Sequence, residues 1–155
     1  MAHETEYVFV YGAFLRDCVK YPQIQHLVKT WGRAEMEGKL YQIPTGAALA
    51  IEEDAPAPGA APARIFGELL TFTDLDEALA LIDAHEDCRP DNPDNSRMHR
   101  KVKEVTVAET GAKVKAYAWV FPKDRFKPKE MYAVHCHGGD WRKFVMMPRY
   151  DGYQH

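Results

Sequence analysis

The sequence lacks several features that would assign it to a function class at once. Its 20 lysines and arginines stand against 23 acidic residues, so the net charge of -3 leaves no basic surface of the kind that binds nucleic acid. It also has no glycine fingerprint for a dinucleotide and no phosphate-binding loop. These absences argue against a nucleic-acid-binding protein and against a nucleotide-dependent enzyme.

Cysteines are few, and long apolar runs are missing. Cys18, Cys88 and Cys136 are spread without a pairing pattern, which is typical of free thiols in a reducing compartment. The N-terminus is acidic where a signal peptide would be positively charged, and its apolar run is too short to span a membrane. We therefore expect a cytoplasmic protein without a membrane partner. Nothing in the sequence indicates its oligomeric state.

What the sequence does contain is a series of short strands. Its length and ordinary apolar fraction predict a single domain over residues 1–155. The predicted strands cover residues 6–11, 31–43 with an interruption near Gly38, 47–51, 64–72, 101–107 with a bulge, and 113–121. The predicted helices cover 21–29 and 74–87, and turn-rich loops cover 54–62 and 89–97. Because strands and helices do not alternate regularly, we predict an α+β domain built on a mixed sheet or small barrel.

The predicted helix over residues 74–87, capped by Asp74, carries a carboxylate on its apolar face. With successive side chains about 100° apart, Glu86 falls about 20° from Leu75. The apolar stripe around it consists of Leu75, Ala78, Leu79 and Ile82. Exposed carbonyls at the helix end and an apolar neighbourhood would both raise the pKa of Glu86, as a general acid or base requires. Glu86 is therefore the first candidate for catalysis, and the alternative is a solvated side chain at a frayed helix end.

A glycine directly follows the first predicted strand. Gly12 permits a sharp turn and lets another molecule approach the backbone closely. Amide groups exposed at a strand end can hold a carboxylate or an oxyanion. A plain turn is the alternative interpretation.

The C-terminal region contains a possible metal pair, His135 and His137, on either side of Cys136. These three side chains cannot all converge on one ion without strain, and no second cluster has ligand spacing. We therefore expect no metal site, and we expect a turn into a closing segment over residues 141–150 that covers part of the core.

Three segments resemble, in the same order along the chain, the gamma-glutamylcyclotransferase-like (AIG2-like) family. VFVYGAFL at 8–15 is similar to the family's first strand and loop, where the motif is usually YGTL or YGSN. IFGELLTF at 65–72 and ALALIDAHEDC at 78–88 resemble its glycine-containing strand and the helix that bears its catalytic glutamate. GGDW at 138–141 resembles a segment near the C-terminus of its members.

The resemblance implies a small mixed β-barrel with flanking helices and an enzyme without a metal or organic cofactor. Members of the family release 5-oxoproline from gamma-glutamyl compounds, so the implied partner is a small gamma-glutamyl substrate. Glu86 matches the acid-base glutamate. The substrate-binding loop is matched by Tyr11, Gly12, Ala13, Phe14 and Leu15.

Departures from the family pattern leave a second interpretation open. Ala13 stands where members have a hydroxyl residue, and Met98 begins a Met-His-Arg segment where many have Tyr-x-Arg. A lost hydroxyl suits a module that binds a small ligand or a protein without turning it over. A pure binder, however, has little reason to keep a costly carboxyl at Glu86.

A third interpretation makes Cys88 a nucleophile served by His85. In a continuous helix these side chains point away from the apolar stripe and from Glu86. Nothing in the sequence indicates a low thiol pKa, so a structural or exposed thiol is the expected role of Cys88.

Overall fold

The computed structural model describes residues 3–53 and 56–146. Its strands are β1 (Val8–Val10), β2 (Val28–Glu37), β3 (Lys39–Gln42), β4 (Ala48–Ile51), β5 (Arg64–Phe72), β6 (His99–Val107), β7 (Lys113–Val120) and β8 (Val134–His135). Its α-helices are α1 (Leu75–Glu86), α2 (Pro128–Met131) and α3 (Trp141–Met146).

Five strands form a closed barrel in the order β1-β5-β2-β6-β7. Neighbouring strands run antiparallel, except where β7 meets β1 in a parallel pair that sets Val8 opposite Tyr117. β1 is buried on both faces, as its continuous apolar run indicates. The predicted α+β fold with a small mixed barrel is confirmed.

A second sheet in the order β4-β3-β8 lies beside the barrel. Gly38 separates β2 from β3, and its φ of 146° is a backbone conformation that side chains rarely allow. The predicted interruption of the strand near Gly38 is therefore confirmed. β4 continues from the turn at residues 44–47 and enters the core at Leu49.

The prediction of one helix over residues 21–29 is wrong. The chain forms two short 3-10 turns, Tyr21–Gln23 and Gln25–Leu27, and then enters β2 at Val28. Val28 is β-branched and pairs with Phe72 of β5, so sheet pairing overrides the local helical pattern. The apolar side chains of Ile24 and Leu27 are buried, as the pattern indicates.

The bulge predicted in residues 101–107 is also wrong. The register of β6 with β7 runs unbroken from His99 to Thr106. In a strand without a bulge, Val102 lies on the opposite face from Val105 and Val107, and most side chains of β6 are only partly buried. The imperfect alternation in the sequence reflects this burial pattern and not an extra residue.

Helix α1 has the caps and the buried face that its sequence predicts. The Asp74 carboxylate accepts a hydrogen bond from the Glu77 amide at 3.1 Å, and Asp87 ends the helix in a left-handed conformation. Leu79 and Ile82 are buried, together with Ala78. Burying each large apolar side chain stabilises the docked helix by roughly 1.5–3 kcal/mol.

The GGDW segment attaches α3 to the edge of β5. Gly139 has a φ of 70°, and a Cβ atom there would lie 1.8 Å from the Arg64 carbonyl oxygen, so only glycine fits. Its own carbonyl accepts a hydrogen bond from the Phe66 amide at 2.9 Å. Asp140 then caps α3 through the Lys143 amide, and Trp141 is buried. Residues 147–150 of the predicted closing segment lie outside the described residues.

The three cysteines are free thiols, as predicted. Within residues 3–53 and 56–146, none of the helices has the length and apolar character that a membrane span requires.

Candidate active site

A cavity of about 610 Å³ lies between the end of β1, the turn before β4 and the last turn of α1. Its wall is mostly apolar and includes Phe9, Val10, Ile43, Ala48 and Ile82. Three charged residues also line it: Lys20, Glu86 and Arg97. A largely apolar cavity with a few convergent charges is the usual form of a small-molecule site.

Glu86 reaches the cavity from the last turn of α1. Its side chain is 16 % exposed, and within the described residues its carboxyl accepts no hydrogen bond. Burial raises the pKa of Glu86 above that of an ordinary glutamate, and the charges of Lys20 and Arg97 partly oppose this increase. The carboxyl is thus poised to exchange a proton with a bound molecule.

Two cations from different segments accompany Glu86. The Arg97 Nη2 atom lies 3.9 Å from the Glu86 Oε1 atom. The Lys20 Nζ atom donates to the His85 carbonyl at the end of α1, at 3.5 Å. Lys20 therefore offsets the unfavourable field of the helix end, which would otherwise act on a charged Glu86.

The loop after β1 lines the cavity and contains two backbone amides without a partner in the described residues. Gly12, Ala13 and Phe14 line the cavity, and the Leu15 amide donates to the Gly12 carbonyl at 3.0 Å to close a turn. The amides of Ala13 and Phe14 make no hydrogen bond with any part of the chain that the structure describes. A Cβ atom at Gly12 would lie 2.7 Å from the Ala48 Cβ atom, so a side chain there would displace the wall of the cavity.

A buried acid on β5 attaches this loop to the barrel. The Glu68 side chain on β5 is 1 % exposed and accepts from the Arg16 amide at 2.7 Å. Arg142 on α3 donates to the other Glu68 oxygen at 2.7 Å and also to the Arg16 carbonyl. The GGDW segment thus supports the loop indirectly, because it fixes the helix that carries Arg142.

A second buried acid joins α1 to the barrel. Asp83, one turn before Glu86, accepts from Trp119 Nε1 at 2.8 Å and pairs with Arg100 at 2.5 Å. Burial raises the pKa of Asp83, while its hydrogen bond from Trp119 and the Arg100 charge act in the opposite direction. Arg100 is the arginine of the Met-His-Arg segment. It pairs with Asp83 although Met98 stands where many family members have a tyrosine.

Tyr11 also faces the cavity but directs its hydroxyl to the barrel. The hydroxyl donates to the Trp119 carbonyl at 2.6 Å. Burial, and then the Glu86 charge, raise the pKa of Tyr11 well above its ordinary value. Tyr11 is therefore a neutral group beside Glu86.

Cys88 does not have the surroundings of a nucleophile. Burial and the nearby Asp83 carboxylate raise the pKa of the Cys88 thiol to about 11, which disfavours the thiolate. The ring of His85 instead packs edge-on against Phe14, with 5.5 Å between centroids.

The rings of His135 and His137 lie 4.1 Å apart, next to Tyr41. Among residues 3–53 and 56–146, no group of three or more metal-ligating side chains is arranged around a common point.

Most of the predicted site residues meet at this cavity. Glu86 lies on its wall together with Tyr11, Gly12, Ala13 and Phe14. Leu15 does not: its side chain is buried in the core, and the residue is not part of the cavity wall. The helix acid and the glycine loop therefore line the same cavity.

Lys20, Arg97 and Trp119 also line the cavity, and the sequence alone did not predict them. Lys20 and Arg97 are single charged residues in irregular segments, and no spacing rule distinguishes them from solvated neighbours. Trp119 lies in a predicted strand, and the indole N–H of a buried tryptophan usually has a hydrogen-bond partner. This was a weak signal in the sequence.

The small mixed barrel thus places an acidic helix end and a glycine loop at one cavity. The sequence profile of the family described as gamma-glutamyl cyclotransferase, AIG2-like, matches residues 8–143. The chain therefore belongs to this family. A search of curated protein sequences found no significant match.

Solved structures with the same fold are distant in sequence. An AIG2-like protein from Mus musculus is 17 % identical with a TM-score of 0.61, over 90 % of this chain and 89 % of that one. YkqA from Bacillus subtilis is 16 % identical with a TM-score of 0.61, over 91 % of this chain and 41 % of that one. Allophanate hydrolase from Kluyveromyces lactis is 14 % identical with a TM-score of 0.56, over 90 % of this chain and 21 % of that one. The chain thus spans about two fifths of YkqA and most of the mouse protein.

Proposed function

We propose that this chain is a gamma-glutamylcyclotransferase-type enzyme that cyclises a gamma-glutamyl compound to 5-oxoproline and a free amine, with Glu86 as its general acid and base. Family membership supports the reaction class. The observation that carries the proposal is the position of one largely buried carboxyl, which accepts no hydrogen bond within the described residues, on the same cavity wall as a loop with free amides.

In this mechanism, the substrate's alpha-amine attacks its own gamma-carbonyl carbon. A new carbon-nitrogen bond closes a five-membered ring, and the original gamma-amide bond breaks. The Glu86 carboxylate transfers the two protons that the alpha-ammonium group loses, one before and one after the attack, to the departing nitrogen, which leaves as an ammonium ion, so the carboxylate is regenerated. Intramolecular attack supplies proximity without a second reactant, and the amides of Ala13 and Phe14 hold the glutamyl carboxylate or the developing oxyanion.

The test is a screen for 5-oxoproline release from gamma-glutamyl dipeptides, glutathione, gamma-glutamyl amines and isopeptide-linked lysine. We expect at least one substrate, and we expect Glu86→Gln to lower kcat by about a hundredfold or more, the usual contribution of general acid-base catalysis. Glu77→Gln is the matched control, because Glu77 lies exposed near the start of the same helix. Wild-type turnover in Glu86→Gln would refute the assignment.

The alternative is a module on the same fold that binds a ligand without converting it. The missing hydroxyl at Ala13 favours it. Binding of a cleavable gamma-glutamyl compound, seen by calorimetry, without any 5-oxoproline after prolonged incubation would support the binding module over the enzyme.

A further inference from the structure

The wall of the cavity has more cationic than acidic side chains. Lys20 and Arg97 both line it, while Glu86 is the one acidic residue on its wall in the described part of the chain. With an ionised Glu86, the wall therefore has a net positive charge. A gamma-glutamyl amine has no net charge, whereas a gamma-glutamyl amino acid carries a second carboxylate and is a net anion. Charge complementarity favours the anion.

Lys20 and Arg97 belong to different structural units. The Lys20 amide donates to the Ala13 carbonyl at 2.9 Å, so Lys20 is part of the loop that presents the free amides. Arg97 ends the polar loop at residues 89–97, and its amide donates to the Asp87 carbonyl at 2.8 Å. The cavity thus has two separate groups that can hold an anion, and a gamma-glutamyl amino acid has two carboxylates.

The polar loop fixes the backbone position from which the Arg97 side chain extends. Ser96 is buried. Its hydroxyl accepts a hydrogen bond from the Arg89 amide at 2.6 Å and lies 3.1 Å from the Asn92 carbonyl oxygen. Arg125 donates to the Ser96 carbonyl at 2.7 Å from outside the loop. The loop therefore needs no rearrangement to bring the Arg97 side chain to the cavity, which favours specific recognition.

Distance from Glu86 decides which carboxylate Arg97 can reach. In the proposed reaction Glu86 must come within hydrogen-bond distance of the departing nitrogen, and the Arg97 Nη2 atom is 3.9 Å from its Oε1 atom. In a gamma-glutamyl alpha-amino acid, the second carboxylate is bonded to the carbon next to that nitrogen. In an isopeptide-linked lysine, the whole lysine side chain separates the two groups. Only the former brings its carboxylate to Arg97 while Glu86 serves the nitrogen.

We infer that Arg97 selects gamma-glutamyl alpha-amino acids by binding the carboxylate on the departing side of the substrate, an inference that rests on the proposed function. The guanidinium and the carboxylate form a charge-assisted, directional pair. Neutral gamma-glutamyl amines leave this cation without a partner.

The experiment uses substrates that differ only in that charge. We compare 5-oxoproline release from gamma-glutamylalanine and from gamma-glutamylalaninamide, with the wild type and Arg97→Gln. The wild type should prefer the acid in kcat/KM by about tenfold or more, as expected for a charged hydrogen bond. Arg97→Gln should lose this preference, so kcat/KM should fall about tenfold further for the acid than for the amide. Arg89→Gln is the matched control, because Arg89 is an exposed arginine of the same loop.

Three outcomes would overturn the inference. Equal wild-type turnover of both substrates would refute selection for the departing carboxylate but leave the proposed function intact. A folded Arg97→Gln protein that loses both substrates equally would assign Arg97 to the glutamyl carboxylate instead. An absence of 5-oxoproline from every gamma-glutamyl compound in the wider screen would refute the proposed function itself.

Discussion

At the residue scale, the position of Glu86 sets a conflict between function and stability. The folded protein raises the pKa of Glu86 by burial, so the neutral form is favoured in the folded state relative to the unfolded chain. A group of this kind stabilises the fold most in acid, and its contribution falls as the pH rises through its folded-state pKa. Above that pKa, ionised Glu86 therefore lowers the stability of the fold.

This conflict predicts that the inactive variant is the more stable one. Glu86→Gln resembles the protonated side chain, so its melting temperature should exceed that of the wild type at pH 7 by roughly a few degrees. The difference should shrink as the pH falls toward 4, where the wild-type carboxyl is itself protonated. Thermal unfolding across this pH range is the measurement, and a wild type that is more stable than Glu86→Gln at pH 7 would contradict the prediction.

At the scale of elements, helix α3 acts on the cavity without touching it. Its Arg142 side chain joins Glu68 of the barrel to the backbone of Arg16, in the loop that presents the free amides. Removing the arginine leaves the Glu68 carboxylate, which is almost fully buried, without its cation. The loop would then keep the hydrogen bond from the Arg16 amide to Glu68 but lose the contact that Arg142 makes between the Arg16 carbonyl and Glu68.

We predict that Arg142→Met raises KM for the gamma-glutamyl substrate by about tenfold, with a smaller change in kcat, because the loop amides lose their positions. Arg142→Lys should raise KM less than Arg142→Met does, since lysine keeps the charge but does not make both hydrogen bonds. Lys143→Met is the control, because Lys143 is exposed on the same helix. Unchanged steady-state kinetics in Arg142→Met would show that the loop keeps its shape without this contact.

At the scale of the whole molecule, periodicity predicted the elements well where a single pattern decides the structure. The paired strands around Gly111 and the capped helix ending at Glu86 carry strong local signals, and both form as expected. Residues 21–29 did not follow their helical pattern, because pairing of Val28 with a distant strand outweighs it. Arg97 shows the limit for the site: its loop folds around Ser96 through contacts with Arg89 and Arg125, and no spacing rule predicts these contacts.

The parallel contact between β1 and β7 also determines when the cavity comes into existence during folding. Val8 pairs with Tyr117 across most of the chain, so loop-closure entropy delays this contact until β7 has formed. Until then the barrel stays open, and the loop after β1 has no fixed place opposite Glu86. We therefore expect refolding protein to recover substrate turnover no earlier than the slowest phase of fluorescence change from the buried Trp119 and Trp141. Turnover that appears before this phase would mean that the site assembles in an open barrel.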